Sequence, residues 1–458
     1  MITSNVMLNT DSYKASHWVQ YPPNTKYVYS YIESRGGKFD KTVFFGLQMF
    51  IRDYLAKPIT LEDLEEAKDF WAAHGEPFNE EGWRYIIEKH KGFLPVMIKA
   101  VPEGTVVPTH NVLATIVNTD PKCYWLPSYL ETALLRAVWY PTTVATISWH
   151  CKQIIKEAIA KTSDVPEQIN FKLHDFGARG VSSHESAAIG GAAHLVNFMG
   201  TDTVAGVLAV RRYYGEKMAG FSIPAAEHST MTSWGRDREV DAYRNMLKQF
   251  GGPGKLVAVV SDSYDIYNAA SEIWGGVLKD EVLASGATVV VRPDSGDPLM
   301  VPIEIIEHLG SKFGYTVNSK GYKVLPSAVR VIQGDGITVD SLPVIIKNLT
   351  NAGWAIDNIA FGMGGGLLQH VNRDTQKFAM KCSAAMVDDE WIDVYKDPIG
   401  DHGKMSKKGQ LALIHENGVY ETVPLSGWAW ADCMRPVYRD GEHLKYWTFS
   451  EVRENSNK

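Results

Sequence analysis

The chain has 458 residues, 45% of them hydrophobic, and its 46 Lys and Arg stand against 53 Asp and Glu, a net charge of −7. This length exceeds the roughly 250–300 residues at which a single core stops growing, so two domains are expected. The net charge is only mildly negative, and no long run of residues carries charge of one sign. Both features argue against nucleic acid or an anionic membrane as a partner.

The four cysteines lie far apart and include no C-x-x-C pair: Cys123, Cys151, Cys382 and Cys433. That spacing argues against both a disulfide framework and a structural zinc site. Residues 1–14 lack the basic and apolar segments of a secretion signal. No stretch approaches the ~20 apolar residues that a membrane helix needs. We therefore expect a soluble, cytoplasmic protein with reduced thiols.

The first third of the chain mixes two kinds of pattern. Lys41–Leu55 and Leu61–His74 predict helices, and Leu94–Thr119 predicts a β-meander. An apolar stripe then predicts a helix over Cys151–Thr162. This part of the chain is therefore expected to be mixed α+β.

Residues 170–369 alternate short apolar strands with amphipathic segments, which is the rhythm of βα units. Five strands are predicted before loops rich in Gly, Asp, Arg and Ser: Phe171–His174 before DFGARG, Val257–Val260 before SDS, Val289–Val291 before RPDSG, Val329–Ile332 before QGDG and Ile359–Phe361 before GMGGG. The predicted helices include Ser182–Phe198, Arg236–Phe250, Val301–Phe313 and Ser341–Leu349, the last with an N-cap serine. Because barrel chemistry sits in the loops after the strands, the pattern predicts a parallel α/β barrel. An open doubly wound sheet is the alternative.

After about residue 375 the pattern returns to β-strands. A hairpin is predicted through Asn417–Gly418, and a solvated hairpin turn at Asp388–Asp389. We interpret the two chain ends, 1–165 and 375–458, as one mixed α+β domain that brackets a catalytic barrel of residues 166–374.

The loops after the predicted strands carry groups suited to a sugar phosphate. The Arg292 guanidinium can fork onto phosphate oxygens, and the Asp294 carboxylate can accept from ribose hydroxyls. Gly334–Gly336 and Gly364–Gly366 leave backbone N–H groups open to a phosphate. Each loop alone also fits an ordinary turn or a surface ion pair. Their joint placement after successive strands predicts a functional site.

His228, in PAAEHST, is predicted at the end of a short strand. A histidine there can carry a proton or act as a nucleophile near neutral pH. Either Glu227 or Asp262 could orient it. The chain holds 14 histidines, and a lone one is more often structural, so His228 gains weight only from its neighbours.

Twelve segments taken in order carry a family resemblance: TDSYKASHWVQYPPNT, YWLPSYLET, KLHDFGARGVSS, GTDTVAG, PAAEHST, VVSDSYDIYN, VRPDSGDP, VIQGDG, FGMGGGLLQ, MKCS, KDP and SKKG. Over essentially its whole length the chain resembles the nicotinamide phosphoribosyltransferases of the type II phosphoribosyltransferase family. The resemblance implies an irregular α/β barrel, a second domain built from both chain ends, and a homodimer whose active sites lie at the subunit interface.

The same resemblance implies how a nicotinamide ring is held. Phe176 and the neighbouring subunit's Tyr13 would sandwich the ring by offset stacking. Asp202 would accept from the carboxamide. The chain departs from the vertebrate members at three pocket positions, which removes no group that the chemistry needs: Ala178, Met363 and Ala379.

By the same resemblance His228, oriented by Asp262, would face pyrophosphate together with Arg179 and Arg292. The implied ribose, phosphate and nearby basic groups are Asp294, Gly334, Asp335, Gly364, Gly365, Arg373, Lys381, Lys396 and Lys404. His228, Asp262 and Asp294 are the implied catalytic residues.

The implied reaction joins nicotinamide to phosphoribosyl pyrophosphate, giving nicotinamide mononucleotide and pyrophosphate for NAD salvage. Mg²⁺ would enter bound mainly to substrate phosphates, so the sequence assigns it no residues. ATP would assist as a co-substrate through transient phosphorylation of His228. The nearest alternative is an enzyme specific for nicotinate, and Asp202 argues against it. A second alternative is a ligand sensor without catalytic activity. The chain retains the groups that catalysis needs, which argues against a sensor: His228, Arg292, Asp294 and Asp335.

Overall fold

The computed structural model describes residues 4–397 and 405–458, and it separates into two compact units. Residues 1–146, 209–217 and 371–458 form the first, here called the sheet unit. Residues 147–208 and 218–370 form the second, the barrel unit. The sequence-based division at residues 165 and 374 places its first boundary after a long helix, whereas the compact units divide inside that helix.

The described strands and helices follow one another along both units. The strands are β1 Thr25–Ser34, β2 Lys41–Val43, β3 Val96–Ala100, β4 Val106–Pro108, β5 Val112–Asn118, β6 Leu173–Asp175, β7 Gly200–Thr201, β8 Leu256–Val260, β9 Thr288–Arg292, β10 Thr316–Val317, β11 Lys323–Val324, β12 Val329–Gln333, β13 Ile359–Met363, β14 Phe378–Val387, β15 Glu390–Asp393, β16 Leu411–Glu416, β17 Val419–Pro424, β18 Arg435–Arg439 and β19 Glu442–His443. The α-helices are α1 Leu47–Phe50, α2 Leu61–His74, α3 Glu80–Lys89, α4 Leu126–Tyr129, α5 Glu131–Thr162, α6 His184–Leu195, α7 Val204–Tyr214, α8 His228–Thr232, α9 Glu239–Phe250, α10 Ile266–Asn268, α11 Lys279–Ser285, α12 Val301–Phe313, α13 Ser341–Asn351, α14 Gly365–Leu368 and α15 Phe449–Ser456.

The sheet unit is built on seven strands in the order β15-β14-β1-β5-β3-β18-β19. Every neighbouring pair is antiparallel, and the interior strand β1 pairs with β14, which lies some 350 residues later in the chain. Large aromatic side chains fill the core of this unit, among them the fully buried Trp71 and Trp83. Burial of such rings removes much apolar area from water, so both chain ends are needed for one core.

The barrel unit is built on six parallel strands in the order β7-β6-β13-β12-β9-β8. Two parallel bridges, Gly200 to Phe221 and Ala225 to Ala258, join residues 221–225 to both edge strands. The strands β8 and β9 read as nearly continuous buried apolar runs, as expected for a parallel sheet covered on both faces. The irregular barrel is confirmed, and the open doubly wound sheet is wrong.

Most of the predicted elements are found within a few residues of their expected limits. The helices Leu61–His74 and Val301–Phe313 begin and end where predicted. The hairpin turn at Asn417–Gly418 joins β16 to β17, with φ of 51° and 80°. Asp388 and Asp389 also form the predicted hairpin turn, between β14 and β15, both with positive φ.

Three local predictions were wrong. Lys41–Leu55 is not one helix: β2 pairs with β4 and helix begins only after Gly46, whose φ is 107°. His228 begins α8 instead of ending a strand, although nearby Ala225 does bridge to Ala258. Ser341 is the first residue of α13, and Asp340 occupies the N-cap. In each case a tertiary contact or turn overrides the local pattern.

Candidate active site

The parallel strands of the barrel unit place their carboxyl ends at one rim, and the predicted site residues of this unit lie in or near the segments at that rim. They are Phe176 and Arg179 after β6, Asp202 after β7, His228 at the start of α8, Asp262 after β8, Arg292 and Asp294 at the end of β9, Gly334 and Asp335 after β12, and Gly364 and Gly365 after β13. The sequence-predicted clustering after strands therefore has a structural basis in the parallel topology.

Phe176 is seated on glycine backbone. Its N–H donates to the Met363 carbonyl at 3.0 Å, which ties the residue to the end of β13. A Cβ built on Gly362 would lie 2.0 Å from the Phe176 ring, and one on Gly334 would lie 3.0 Å from it. Only residues without a side chain leave room for the ring at this place.

Asp175 organises the turn that presents Phe176. Its side chain is fully buried, and Oδ1 accepts from the Gly177 N–H at 2.7 Å. Its carbonyl accepts from the Asp202 N–H at 3.0 Å, so one residue links the ends of β6 and β7. Burial raises the pKa of the Asp175 carboxyl to about 6.

Asp202 presents a carboxylate with one oxygen already engaged. Oδ1 lies 3.0 Å from His174 Nε2 and accepts from the Ser222 hydroxyl at 2.5 Å. Burial opposes ionisation, but these two hydrogen bonds outweigh it and hold the pKa of Asp202 below its usual value. Among residues 4–397 and 405–458, Oδ2 has no partner within hydrogen-bond distance, so it can accept from a ligand.

His228 lies among two carboxylates and a hydroxyl. Its Nε2 is 3.5 Å from both Asp262 Oδ1 and Asp294 Oδ2, and its Nδ1 is 3.3 Å from Ser263 Oγ. The imidazole is 45% exposed. These distances bring His228, Asp262 and Asp294 together, with the ring open to a ligand on one side.

Hydrogen bonds from two neighbouring residues hold the Asp262 carboxylate in place. It is only 4% exposed, and Oδ2 accepts from the Asp294 N–H at 3.1 Å and from the Ser295 hydroxyl. Arg292 lies 3.3 Å from Asp294 Oδ2 and keeps four-fifths of its side chain out of solvent. Within the described chain, Asp262 Oδ1 and Arg292 Nε are buried without a hydrogen-bond partner. Such unsatisfied groups are costly unless a ligand meets them.

The glycine loops and the remaining rim residues are open. Asp335 is exposed, and its carbonyl accepts from Gln333 Nε2 at 2.8 Å, while Gly336 turns the chain with a φ of 66°. Gly364 precedes the single turn of α14, whose first residue is Gly365. Arg179 is exposed in the loop after β6. The structure thus leaves each of these groups free to meet solvent.

The other predicted site residues belong to the sheet unit or fall outside the described residues. Tyr13 is 55% exposed, and Arg373 pairs with Asp374 at 3.1 Å. Lys381 lies on β14 opposite Tyr31. Burial lowers the pKa of Lys381, Glu131 opposes that shift, and the cations of Arg35, Lys396 and Lys14 add to it. Lys404 lies outside the described residues.

Several residues that shape the rim were missed from the sequence. They hold or seat a predicted group: His174, Asp175, Ser222, Ser263, Ser295 and Gly362. His174 and Asp175 stand inside the segment KLHDFGARGVSS, and Ser263 inside VVSDSYDIYN. The motifs therefore contained the signal, but nothing in the sequence says which neighbour a side chain will reach.

Comparisons with known proteins cover nearly the whole chain. The nicotinate phosphoribosyltransferase (NAPRTase) family model matches residues 171–442, and that of the nicotinamide phosphoribosyltransferase N-terminal domain matches residues 5–98. A nicotinamide phosphoribosyltransferase of Xanthomonas campestris pv. campestris is 59% identical over 461 residues, 99% of this chain and 98% of that protein. One of Acinetobacter baylyi is 34% identical over 440 residues, 88% of this chain and 87% of that protein.

Two solved structures share the fold at low identity. Nicotinate-nucleotide pyrophosphorylase from Pyrococcus furiosus gives a TM-score of 0.62 at 18% identity and covers 99% of this chain and 95% of its own. Human nicotinic acid phosphoribosyltransferase gives 0.58 at 17% identity and covers 98% and 93%. These two likenesses support the barrel with its second sheet domain.

Proposed function

The chain belongs to the nicotinamide phosphoribosyltransferase family and is a phosphoribosyl-transferring enzyme, and from that premise we propose that its own acceptor is nicotinamide. The products would be nicotinamide mononucleotide and pyrophosphate, made for NAD salvage. The observation that carries the choice of base is Asp202: its ionised carboxylate, held on Oδ1 by His174 and Ser222, leaves Oδ2 to accept from a carboxamide N–H.

Nicotinate is the rival acceptor, and charge separates the two bases. A substrate carboxylate facing ionised Asp202 would meet like charge, which costs several kcal/mol when desolvated. The test is a product assay with phosphoribosyl pyrophosphate and each of nicotinamide, nicotinate and quinolinate. We expect kcat/KM to favour nicotinamide, and Asp202→Ala to shrink that preference. Comparable kcat/KM for nicotinamide and nicotinate would contradict the proposal.

The chain's own groups would act mainly by position and charge. The ribose C1 is displaced through an oxocarbenium-like transition state, so what is needed is orientation of the base and stabilisation of the leaving pyrophosphate. Phe176 would carry the pyridine ring, and Arg292 with Arg179 would face pyrophosphate. The unsatisfied Arg292 Nε supports this role, because a phosphate oxygen would supply its missing acceptor.

Mg²⁺ fits the carboxylates at the rim. Asp262 Oδ1 is buried without a hydrogen-bond partner within the described chain, and Asp294 presents a partly exposed carboxylate nearby. One or two such carboxylates together with substrate phosphates are what Mg²⁺ usually takes in proteins. Bound there, the ion would neutralise charge on pyrophosphate, while Arg292 and Asp294 orient the substrate.

We further propose that ATP assists through transient phosphorylation of His228. Asp262 and Asp294 both lie at Nε2, and ionised carboxylates only accept, so Nε2 would carry the proton and Nδ1 the lone pair. Nδ1 would attack the γ-phosphorus as the bond to ADP breaks, and water would later release inorganic phosphate from Nδ1. The rival role for His228, a hydrogen bond to pyrophosphate, predicts only a modest binding defect on its loss.

The active unit is proposed to be a homodimer in the cytoplasm. Tyr13 supports the dimer, because an aromatic ring that is 55% exposed is available to stack on a base bound by a second copy. Across the described residues, no helix combines the length and apolarity needed to cross a bilayer. Fractionation of cells that produce the protein would test the location.

A further inference from the structure

His174 touches both groups that would hold the nicotinamide ring. Its Nε2 lies 3.0 Å from Asp202 Oδ1, and its ring centroid lies 5.1 Å from that of Phe176. The His174 side chain is 15% exposed and that of Asp202 is 47% exposed, so the imidazole is largely shielded from water while the carboxylate is open to a ligand. We propose that His174 is a positioning residue that keeps the Asp202 carboxylate aimed at the base, and so sets the preference for nicotinamide over nicotinate. This inference rests on the proposed function.

The charge of the Asp202 carboxylate decides which of the two residues donates the hydrogen bond. An ionised carboxylate only accepts, so His174 Nε2 must carry the hydrogen that it gives to Asp202 Oδ1. Without that donor, Oδ1 keeps only the hydrogen bond from the Ser222 hydroxyl, so the carboxylate is held less firmly and Oδ2 can turn away from the base. A carboxylate that turns away no longer accepts from the carboxamide of nicotinamide, and it lies farther from the carboxylate of nicotinate and repels that base less. Loss of His174 should therefore weaken nicotinamide and relieve the exclusion of nicotinate.

The ring of His174 is placed by glycine backbone on the neighbouring strand. His174 pairs with Gly200 of β7, and a Cβ built on Gly200 would lie 2.6 Å from His174 Nδ1. Gly200→Ala must therefore push the imidazole aside while its donor stays in the chain. Gly276→Ala is a matched control, because its added carbon would have its nearest neighbour at 3.5 Å, an ordinary contact.

The experiment measures kcat/KM for nicotinamide and for nicotinate at saturating phosphoribosyl pyrophosphate and compares their ratio. The two bases have the same ring and nearly the same shape, so a packing defect lowers both constants alike and leaves the ratio unchanged. We expect His174→Phe to lower the ratio about tenfold or more, the factor set by a hydrogen bond to a charged group. His174→Gln, which keeps a donor, should recover part of it. Gly200→Ala should lower the ratio, and Gly276→Ala should not.

The outcomes separate cleanly. A His174→Phe ratio equal to that of the wild type, with both constants reduced, would overturn the inference and leave His174 a packing residue. If His174→Phe fails to fold, an unchanged ratio in Gly200→Ala would overturn it equally. A wild-type protein that shows no preference, or no activity with either base, would instead refute the proposed function. Thermal unfolding of each variant identifies a folding failure.

Discussion

The barrel rim and the sheet unit prepare their charged groups in different ways. At the rim, each group stands a few residues after a strand, and backbone contacts of the strand ends fix it, as when Asp175 holds the Asp202 N–H. In the sheet unit, charged and polar groups from segments that are distant in sequence meet at β1. Lys381 of β14 lies opposite Tyr31 of β1. Glu33, also on β1 and 3% exposed, accepts from Arg35 and Lys407.

This difference teaches where a sequence can reveal a site. Parallel strands bring their carboxyl ends together by topology alone, so motifs that follow successive strands in the sequence are expected to lie close together in space. In an antiparallel sheet, the register of the strands decides which side chains lie together on one face. A slip of one residue moves every side chain of a strand to the other face. The rim concentrates paired carboxylates and arginine, whereas the sheet unit gathers cations around buried carboxylates.

Among the proposed substitutions, loss of His228 is expected to have the largest effect on the activity of the site at the barrel rim. We expect His228→Ala to lose ATPase activity entirely and to lose ATP stimulation of nicotinamide mononucleotide synthesis, while slow basal synthesis persists. With ATP labelled at the γ-phosphate, the wild type should give an acid-labile, base-stable phosphoprotein, and the variant should give none. His415→Ala, at an exposed position on β16 of the sheet unit, is the control and should label normally. Equal labelling of His228→Ala would show that the assignment is wrong.

Substitution of Gly362, whose backbone packs against the Phe176 ring, is expected to have the next largest effect. Gly362→Ala places a carbon 2.0 Å from the Phe176 ring, so the ring must move. A displacement of about 1 Å in a positioning group can cost about 100-fold, and we expect that loss in kcat/KM for nicotinamide. Overpacking should also lower the free energy of unfolding by about 1–3 kcal/mol.

The control for Gly362→Ala is again Gly276→Ala, which tests the cost of an added methyl in the same unit. It should leave kcat/KM unchanged. Thermal unfolding together with steady-state kinetics would separate the two effects of Gly362→Ala. Full activity in that variant would mean that the position of the Phe176 ring does not limit catalysis.

The sequence predicted the barrel strands and the rim motifs because each depends on local pattern. It placed β8, β9, β12 and β13 within two residues at either end. It did not predict the Glu33 cluster, because nothing in a β-strand pattern states that Lys407 will return to β1. For the same reason it could not foresee that His174 reaches Asp202, since that contact depends on the register of β6 and β7.

The sheet unit can be tested through its buried carboxylate. Glu33→Gln leaves the shielded cations of Arg35 and Lys407 without their counter-charge. Breaking a fully buried pair costs ~3–5 kcal/mol, and partial exposure of the two cations reduces this to about 2 kcal/mol. The thermal unfolding midpoint should then fall by roughly 5 °C.

An exposed ion pair gives the matched control for Glu33→Gln. Glu272, 66% exposed, pairs with Lys312 at 3.0 Å in the barrel unit. Glu272→Gln should change the free energy of unfolding by less than about 0.5 kcal/mol, because water screens the pair. A shift in Glu33→Gln no larger than this would show that the Glu33 cluster contributes little to stability.

The smallest expected effect concerns Tyr13, the residue of the sheet unit proposed to serve a neighbouring subunit. Its side chain is 55% exposed and contacts His17 edge-on with ring centroids 5.0 Å apart. An exposed ring of this kind is worth less than about 0.5 kcal/mol to the fold. If it stacks on nicotinamide, however, its loss should weaken binding about tenfold, since an aromatic pair adds ~0.5–1.5 kcal/mol beyond the buried area.

Tyr13→Ala should therefore raise KM for nicotinamide about tenfold with little change in the unfolding midpoint, and Tyr13→Phe, which keeps the ring, should behave like the wild type. A role in folding would instead lower the midpoint and affect every substrate. The assignment to a neighbouring subunit adds a second requirement, because a monomer would lack this ring at its site. Sedimentation at assay concentrations should therefore find a dimer, and dilution into monomers should reduce activity sharply. A fully active monomer would exclude the shared site, and unchanged nicotinamide KM in Tyr13→Ala would exclude the stacking role, so the two claims can fail separately.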